Sequence, residues 1–216
     1  MRTVSDIYAA YRIMPNLQMH QLRVAAVART ICKAISVPVD EESVTLATLF
    51  HDMGNIIKFN LPLFPEFVEP QGLDYWQGVR QEYIDKYGLK QHVANHAIAV
   101  ELKLSKKVVA LIDGIDFSAV EHTRDQGFFE QKICEYSDLR VAPFGITSMQ
   151  GRIDDIEVRY RKNVARTWEE DRTVALTAAA KEIERQIFKH CSIKPEDITD
   201  ESSAPLIPEL QNYPVA

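Results

Sequence analysis

Apolar residues recur at steps of three and four along most of the chain, and this is the period of a helix that buries one face. Between residues 17 and 36 the apolar stripe includes Leu17, Val24 and Ile31, and His20 falls on the same stripe. An imidazole at that position is expected to point toward the interior of the protein.

A second segment, residues 40–53, predicts a helix in the core. Asp40 stands at the N-cap position, and the first turn is acidic, where the helix dipole favours negative charge. Apolar residues then continue on nearly all sides as far as Met53, directly before Gly54. A helix with so little polar surface is expected to be buried.

Later parts of the chain also carry the helical pattern, and no segment alternates convincingly in the way that predicts a strand. We therefore predict an all-α helical bundle. The further helical segments are residues 73–87, 89–103, 105–113, 126–142, 148–165 and about 168–190.

Two segments lack the helical pattern. Residues 59–72 contain three prolines, a density that breaks regular structure and predicts either a lid beside a site or an irregular connection. Residues 195–216 are rich in proline and acidic residues, and we expect an extended or loosely docked tail there. Residues 1–194 are predicted to form a single domain, whose last helix completes the bundle or contributes to a homodimer.

The composition narrows the range of functions. The chain has 216 residues, of which 46% are hydrophobic, and this suits one globular domain. A net charge of −6 argues against long nucleic acid as the main partner. No apolar run approaches the roughly 18 to 20 residues of a membrane span, and the first residues lack a signal-peptide core, so we expect a cytoplasmic protein that makes no membrane contact.

The chemistry starts from the adjacent His51 and Asp52 at the end of the second predicted helix. A buried carboxylate at a helix C-terminus is disfavoured by desolvation and by the helix dipole, so a positive charge is expected next to it. A divalent cation meets this need if other side chains complete its shell. His20 and Asp138 are the candidates, and two imidazoles with two carboxylates suit Mn, Co, Ni, Fe, Zn or Mg.

These residues resemble a known signature. His20 in LQMHQLRVAAVA, His51 and Asp52 in TLFHDMGN, and Asp138 in ICEYSDLRV look like the H…HD…D signature of HD-domain metal-dependent phosphohydrolases. The resemblance extends over about residues 15–162. It implies an HD-domain-like all-α bundle with one divalent metal between helices, those four side chains as metal ligands, and hydrolysis of phosphate esters, often of nucleotides.

The chain departs from the family pattern after the motif. Many members carry Lys or Glu three residues after the motif aspartate, whereas this chain has Asn55, which can orient water but cannot act as a base at neutral pH. Lys58 takes the electrostatic role if the helix continues through Gly54. We therefore predict Asp52, Asn55 and Lys58 as the catalytic residues.

A second metal is a further question. His92 and His96 stand four residues apart, a spacing that can share an ion, but Asp113 and Asp116 occupy the positions where two-metal members carry paired histidines. We therefore predict a site with one metal ion, and a site with two metal ions is the alternative. The residues predicted to contact the substrate are Asn55, Lys58, Arg80, His96 and Arg140.

Together these features predict a metal-dependent phosphohydrolase that acts on a small phosphorylated molecule, with a nucleotide as the first choice, by attack of metal-activated water. The alternative is a non-catalytic HD-like module that senses a nucleotide or binds another protein. Asn55 favours the alternative, while the presence of all four candidate ligands favours the enzyme.

Overall fold

The computed structural model describes residues 1–162 and 170–215, and most of this part of the chain is helical, which confirms the all-α prediction. Its α-helices are α1 (Val4–Ala10), α2 (Pro15–Ala34), α3 (Glu41–Phe50), α4 (Leu73–Tyr87), α5 (Gln91–Glu101), α6 (Lys106–Asp113), α7 (Val120–Gln126), α8 (Phe129–Asp138), α9 (Met149–Lys162), α10 (Glu170–Phe188), α11 (Asp200–Ser203) and α12 (Leu206–Gln211).

Helices α2, α3 and α8 form the centre of the bundle, and each packs against the other two. Along α2 the small side chains of Ala25 and Ala28 are fully buried beside Val24, which allows close approach of the neighbouring helices. At the start of α3, Asp40 accepts a hydrogen bond of 3.0 Å from the Ser43 amide, as the sequence predicts for an N-cap. That bond, together with the Ser43 hydroxyl and the charge of Lys107, lowers the pKa of Asp40 to about 2.

Helix α3 ends at Phe50, a few residues earlier than predicted, and residues Asn55–Lys58 form a 3₁₀ turn. Between these two elements, the Gly54 amide donates a 2.6 Å hydrogen bond to Asn95 Oδ1 on α5 and not to a helical carbonyl of α3. The helix therefore does not continue through Gly54, and Lys58 is exposed on the turn and not on the same helix as Asp52.

Two short antiparallel pairs of strands accompany the helices. Strand β1 (Arg2–Thr3) pairs antiparallel with β4 (Pro214–Val215), and β2 (Val141–Ala142) pairs with β3 (Gly145–Ile146). The helix predicted over residues 126–142 was therefore too long at its end. Pro143 and Gly145 turn the chain there, and two-residue strands are too short to show an alternating pattern.

The expectation of an extended or loosely docked tail was wrong. Residues after 194 form α11, α12 and β4, and Ile198 and Leu210 are buried. The acidic residues of the segment find basic partners, since Asp200 pairs with Arg23 and Glu209 with Arg29. Acidic composition alone does not reveal such pairing.

Helix α10 completes the bundle through Ala179, Ala180, Ile183 and Ile187, all of which are buried within the chain. The first residues of the helix predicted from about 168 lie outside the described residues. Among the residues that the structure does describe, no helix combines the length and the apolar character needed to cross a membrane.

Candidate metal centre

The four predicted ligands lie together where three helices meet. His20 comes from α2, His51 and Asp52 follow the last residue of α3, and Asp138 ends α8. The Oδ1 atom of Asp138 is 3.0 Å from His20 Nε2 and 3.4 Å from His51 Nε2. Ligand atoms of His20, His51 and Asp52 all lie within 4.8 Å of one another, a spacing that can hold a metal ion.

His51 presents an unpaired nitrogen to this cluster. The side chain is only 3% exposed, and Nδ1 lies 2.8 Å from the carbonyl oxygen of Thr48. Because a carbonyl can only accept, Nδ1 carries the proton in the neutral ring and Nε2 keeps its lone pair. The Nε2 atom is buried without a hydrogen-bond partner, 3.7 Å from Asp52 Oδ2. A backbone carbonyl that fixes the tautomer in this way is the usual support of a metal-binding histidine.

The two carboxylates of the cluster, Asp52 and Asp138, favour a positive charge beside them. Burial by itself lowers the pKa of His51, but the carboxylates of Asp52 and Asp138 outweigh it and raise that pKa to about 9. Burial likewise opposes the charge on Asp138, yet the neighbouring imidazoles of His20 and His51 hold the pKa of this carboxyl well below its ordinary value. A proton on His51 therefore occupies the place that a divalent metal would compete for.

Other buried polar atoms without partners stand next to the candidate ligands in the sequence. They are Gln21 Nε2, Asn55 Oδ1 and Ser137 Oγ. The other end of the Gln21 amide, Oε1, accepts a 3.2 Å hydrogen bond from the backbone amide of Asp52. Unsatisfied buried polar atoms are uncommon, and His51 Nε2, which faces the carboxylates, is one that a bound ion would satisfy. The residues present therefore fit a divalent cation held by nitrogen and oxygen ligands.

The second histidine group has a different arrangement. His96 on α5 places Nδ1 2.9 Å from Asp113 Oδ2 at the end of α6, and both side chains are about half exposed. His92 is exposed on α5, and the Asp116 amide donates to Glu135 Oε2. Within the described residues, the metal-binding grouping of His, Cys, Asp and Glu occurs at His20, His51 and Asp52.

Among the predicted substrate contacts, Asn55 follows the candidate ligand Asp52 by three residues. The backbone amide of Asn55 donates a 3.0 Å hydrogen bond to the Asp52 carbonyl, and the Asn55 side chain is buried. Arg80 donates from Nε to the carbonyl of Ile57, which holds its side chain beside the 3₁₀ turn that carries Lys58.

Arg140 is placed differently from the prediction. It is buried, and its guanidinium donates to the Tyr136 hydroxyl and to the carbonyl oxygens of Thr147, Pro195 and Ile198. All three of its nitrogens are engaged with the protein itself. This placement argues against a phosphate contact, since Arg140 joins α8 to the C-terminal segment.

Three residues near the cluster escaped the sequence reasoning: Gln21, Ser137 and Glu135. Gln21 follows His20 and Ser137 precedes Asp138. Their burial could have been predicted, because each lies next to a candidate ligand on a helix, and the residues that flank the two are apolar. Glu135 is buried one turn before Asp138, and burial together with the Asp138 charge raises its pKa to about 8. Its burial depends on tertiary packing that no local pattern reveals.

Fold and site together define an all-α protein with a candidate divalent metal centre between helices. Residues 18–117 match the family model described as HD domain, so this segment of the chain is similar to HD-domain proteins. The matched segment contains His20, His51 and Asp52, whereas Asp138 lies beyond it. Members of this family are generally metal-dependent hydrolases that bind divalent metals, and some are non-catalytic. Comparison with curated proteins and with solved structures gave no match.

Proposed function

We propose that this protein is a metal-dependent phosphohydrolase that cleaves a phosphate ester of a small molecule, with a nucleotide as the substrate. The observation that carries the proposal is the meeting of two imidazoles and two carboxylates around the unpaired Nε2 of His51. Such a buried, negatively charged cluster is costly unless a cation compensates it.

In this proposal His20, His51, Asp52 and Asp138 hold the metal. The bound ion supplies an activated water and polarises a phosphoryl oxygen. Hydrogen bonds from the chain keep the ligands in place: Thr48 fixes the tautomer of His51, and Gln21 fixes the backbone at Asp52.

Other residues act on the substrate. The unpaired Oδ1 of Asn55 accepts a hydrogen bond from water or from a protonated phosphate oxygen. Lys58 is exposed on the 3₁₀ turn, where its charge attracts a phosphate, and Arg80 lies beside that turn. His96, oriented by Asp113, offers its Nε2 to a phosphate or leaving group.

A small substrate agrees with the overall charge. The net charge of −6 opposes a long polyanion, while one phosphate can be neutralised locally by the metal and Lys58. The proposal includes a cytoplasmic location, which gives access to free nucleotides.

The rival function is a non-catalytic module that senses a nucleotide. Asn55 is the observation that favours it, because an amide neither carries positive charge nor acts as a general base. The same metal cluster would then bind ligand phosphate without turnover.

Phosphate release tests the choice. Wild-type protein and Asp138→Ala are incubated with nucleoside monophosphates and simple phosphate esters in the presence of Mn²⁺, Co²⁺, Ni²⁺, Mg²⁺ or a chelator. Metal-dependent release is expected from wild type and is expected to vanish in the variant. The exposed carboxylate Asp125 provides the matched control, Asp125→Ala, which should retain wild-type activity. Absence of release from a metal-loaded wild type on every ester would favour the sensing module.

A further inference from the structure

Three phenylalanines form a group of rings on the surface, here named the phenylalanine cluster: Phe64, Phe67 and Phe144. The rings of Phe64 and Phe67 are stacked, with centroids 5.5 Å apart and planes 18° from parallel. The Phe67 ring also contacts that of Phe144, at 5.9 Å between centroids. Phe144 is 74% exposed, so the cluster presents an aromatic surface to solvent.

The cluster joins two segments that each follow candidate metal ligands. Phe64 and Phe67 belong to the proline-rich segment 59–72, which comes soon after Asp52, and Phe144 lies at the turn of the β2–β3 hairpin, six residues after Asp138. Six residues span at most roughly 20 Å when fully extended. Phe144 therefore lies at most about 20 Å from Asp138, and the Phe67–Phe144 contact places the proline-rich segment against the same hairpin.

The hairpin that carries Phe144 is firmly held. The Thr147 amide donates a 2.8 Å hydrogen bond to the Arg140 carbonyl, and the Ile146 amide donates a 3.0 Å bond to Asp200. Asp200 is also paired with Arg23 of α2 at 2.9 Å. The backbone of the hairpin that carries the ring is thus tied to α2 and α8, the helices that provide His20 and Asp138.

A large apolar side chain held at an exposed turn contributes little to the core, whereas it can bind a planar ring. Lys58, six residues before Phe64, is a cation on the turn that leads into the same proline-rich segment. Aromatic rings together with a nearby positive charge are the combination by which proteins hold bases and their phosphates.

We propose that the phenylalanine cluster is the surface on which the planar base of the nucleotide substrate stacks. The base lies against Phe144 while the phosphate lies toward the metal ligands and Lys58. This inference rests on the proposed function and adds to it the residues that select the base.

The test compares two substrates that differ only in the base: adenosine 5′-monophosphate and ribose 5-phosphate. Loss of a stacking ring, in Phe144→Leu, should raise KM for the nucleotide about five-fold or more and leave kcat within about two-fold. Both constants for ribose 5-phosphate should remain unchanged. Phe144→Tyr, which keeps the aromatic plane, should restore the wild-type KM.

Phe128→Leu is the matched control, because Phe128 is an exposed phenylalanine at the opposite end of α8 from Asp138. It should leave KM for both substrates unchanged. An equal effect of Phe144→Leu on the two substrates, or no effect on either, would overturn the stacking role while leaving the hydrolase intact.

Failure of the proposed function gives a different result, namely no phosphate release from either compound by wild type with any metal. Calorimetric titration of the Mn²⁺-loaded protein with adenosine 5′-monophosphate then decides the stacking role. Binding that weakens at least about five-fold in Phe144→Leu supports it. Binding that is absent or equal in the two proteins overturns it.

Discussion

Histidine and aspartate meet at two places in this protein, and the surroundings of the two groups differ. The cluster of His20, His51, Asp52 and Asp138 lies at the meeting point of three helices, with one imidazole almost fully buried. The pair of His96 and Asp113 joins α5 to α6 at the surface, with side chains 52% and 43% exposed. The residue types are the same, but water reaches only the second group freely.

Solvent exposure decides whether the charges of each group must be compensated by a bound cation. At the surface, water screens the charges, and an ion pair contributes about 1 kcal/mol or less. In the interior, two carboxylates close to an imidazole with a free lone pair need a cation, which is a proton in the absence of metal. The comparison teaches that a shared His–Asp chemistry becomes a metal site through burial and number of ligands.

The largest expected effect comes from removal of one ligand in the buried group. Asp52→Ala should weaken Mn²⁺ binding about 100-fold or more, because one carboxylate and its charge are lost from the shell. Asp113→Ala, which removes the carboxylate of the surface pair, should change the affinity by less than about two-fold. Equilibrium dialysis with metal analysis measures both. Equal affinities for wild type and Asp52→Ala would remove Asp52 from the site.

Gly54 lies between the two groups in the fold. It comes two residues after Asp52, and it packs against α5, the helix that carries His96. A Cβ at this position would lie 2.5 Å from Ala94 Cβ and 3.0 Å from the Gln91 carbonyl oxygen. Gly54→Ala should therefore destabilise the protein by about 1 to 3 kcal/mol through overpacking.

The control for Gly54 is Gly78→Ala in α4, where an added Cβ meets nothing within 4 Å. That change should stabilise the helix by roughly 0.5 to 1 kcal/mol. Urea unfolding at fixed metal concentration measures both variants. Destabilisation of similar size at the two glycines would contradict the close approach of Gly54 to α5.

The helical pattern predicted much of this arrangement and missed specific parts. The stripe through His20 and the buried run before His51 predicted α2 and α3, because long helices display their period over many residues. The same logic failed for β2 and β3, whose two-residue strands show no period, and for the C-terminal segment, whose ion pairs depend on partners distant in sequence.

The site shows the same division. The four candidate ligands were predictable because their residue types and order carry the chemistry, and the structure brings them together. Gln21 and Glu135 were not, since their roles arise from burial against other helices. Arg140 was misread because a charged residue near a helix end gives no sign that backbone carbonyls will surround it.

The pH dependence of stability should distinguish the buried group with and without metal. In the metal-free protein the pKa of His51 is raised to about 9 and that of Glu135 to about 8. A raised pKa stabilises the fold below the unfolded value, and this stabilisation is lost as the pH rises through the folded value. Metal-free protein should therefore lose stability from about pH 4.5 to 8 through Glu135 and from about pH 6.5 to 9 through His51, by about 1.4 kcal/mol per pH unit for each proton.

Metal should reverse this trend, because binding displaces the proton from His51 and so strengthens as the pH rises. Thermal melting with Mn²⁺ and with chelator, across this pH range, measures both. The increase in Tm on metal addition should grow with pH. In the metal-free protein, His51→Gln should make Tm depend less steeply on pH. If Tm of the metal-free wild type does not change with pH, His51 carries no proton in the cluster.

The smallest expected effect concerns the surface pair. A double-mutant cycle on His96→Gln and Asp113→Asn should give a coupling free energy of about 1 kcal/mol or less, because both side chains are exposed and screened. The coupling should shrink further in about 1 M salt, where the Debye length is about 3 Å. Urea unfolding of the four proteins at two salt concentrations measures it. A coupling above about 2 kcal/mol that persists in high salt would show that this pair, too, is shielded from water, and the contrast with the buried cluster would fail.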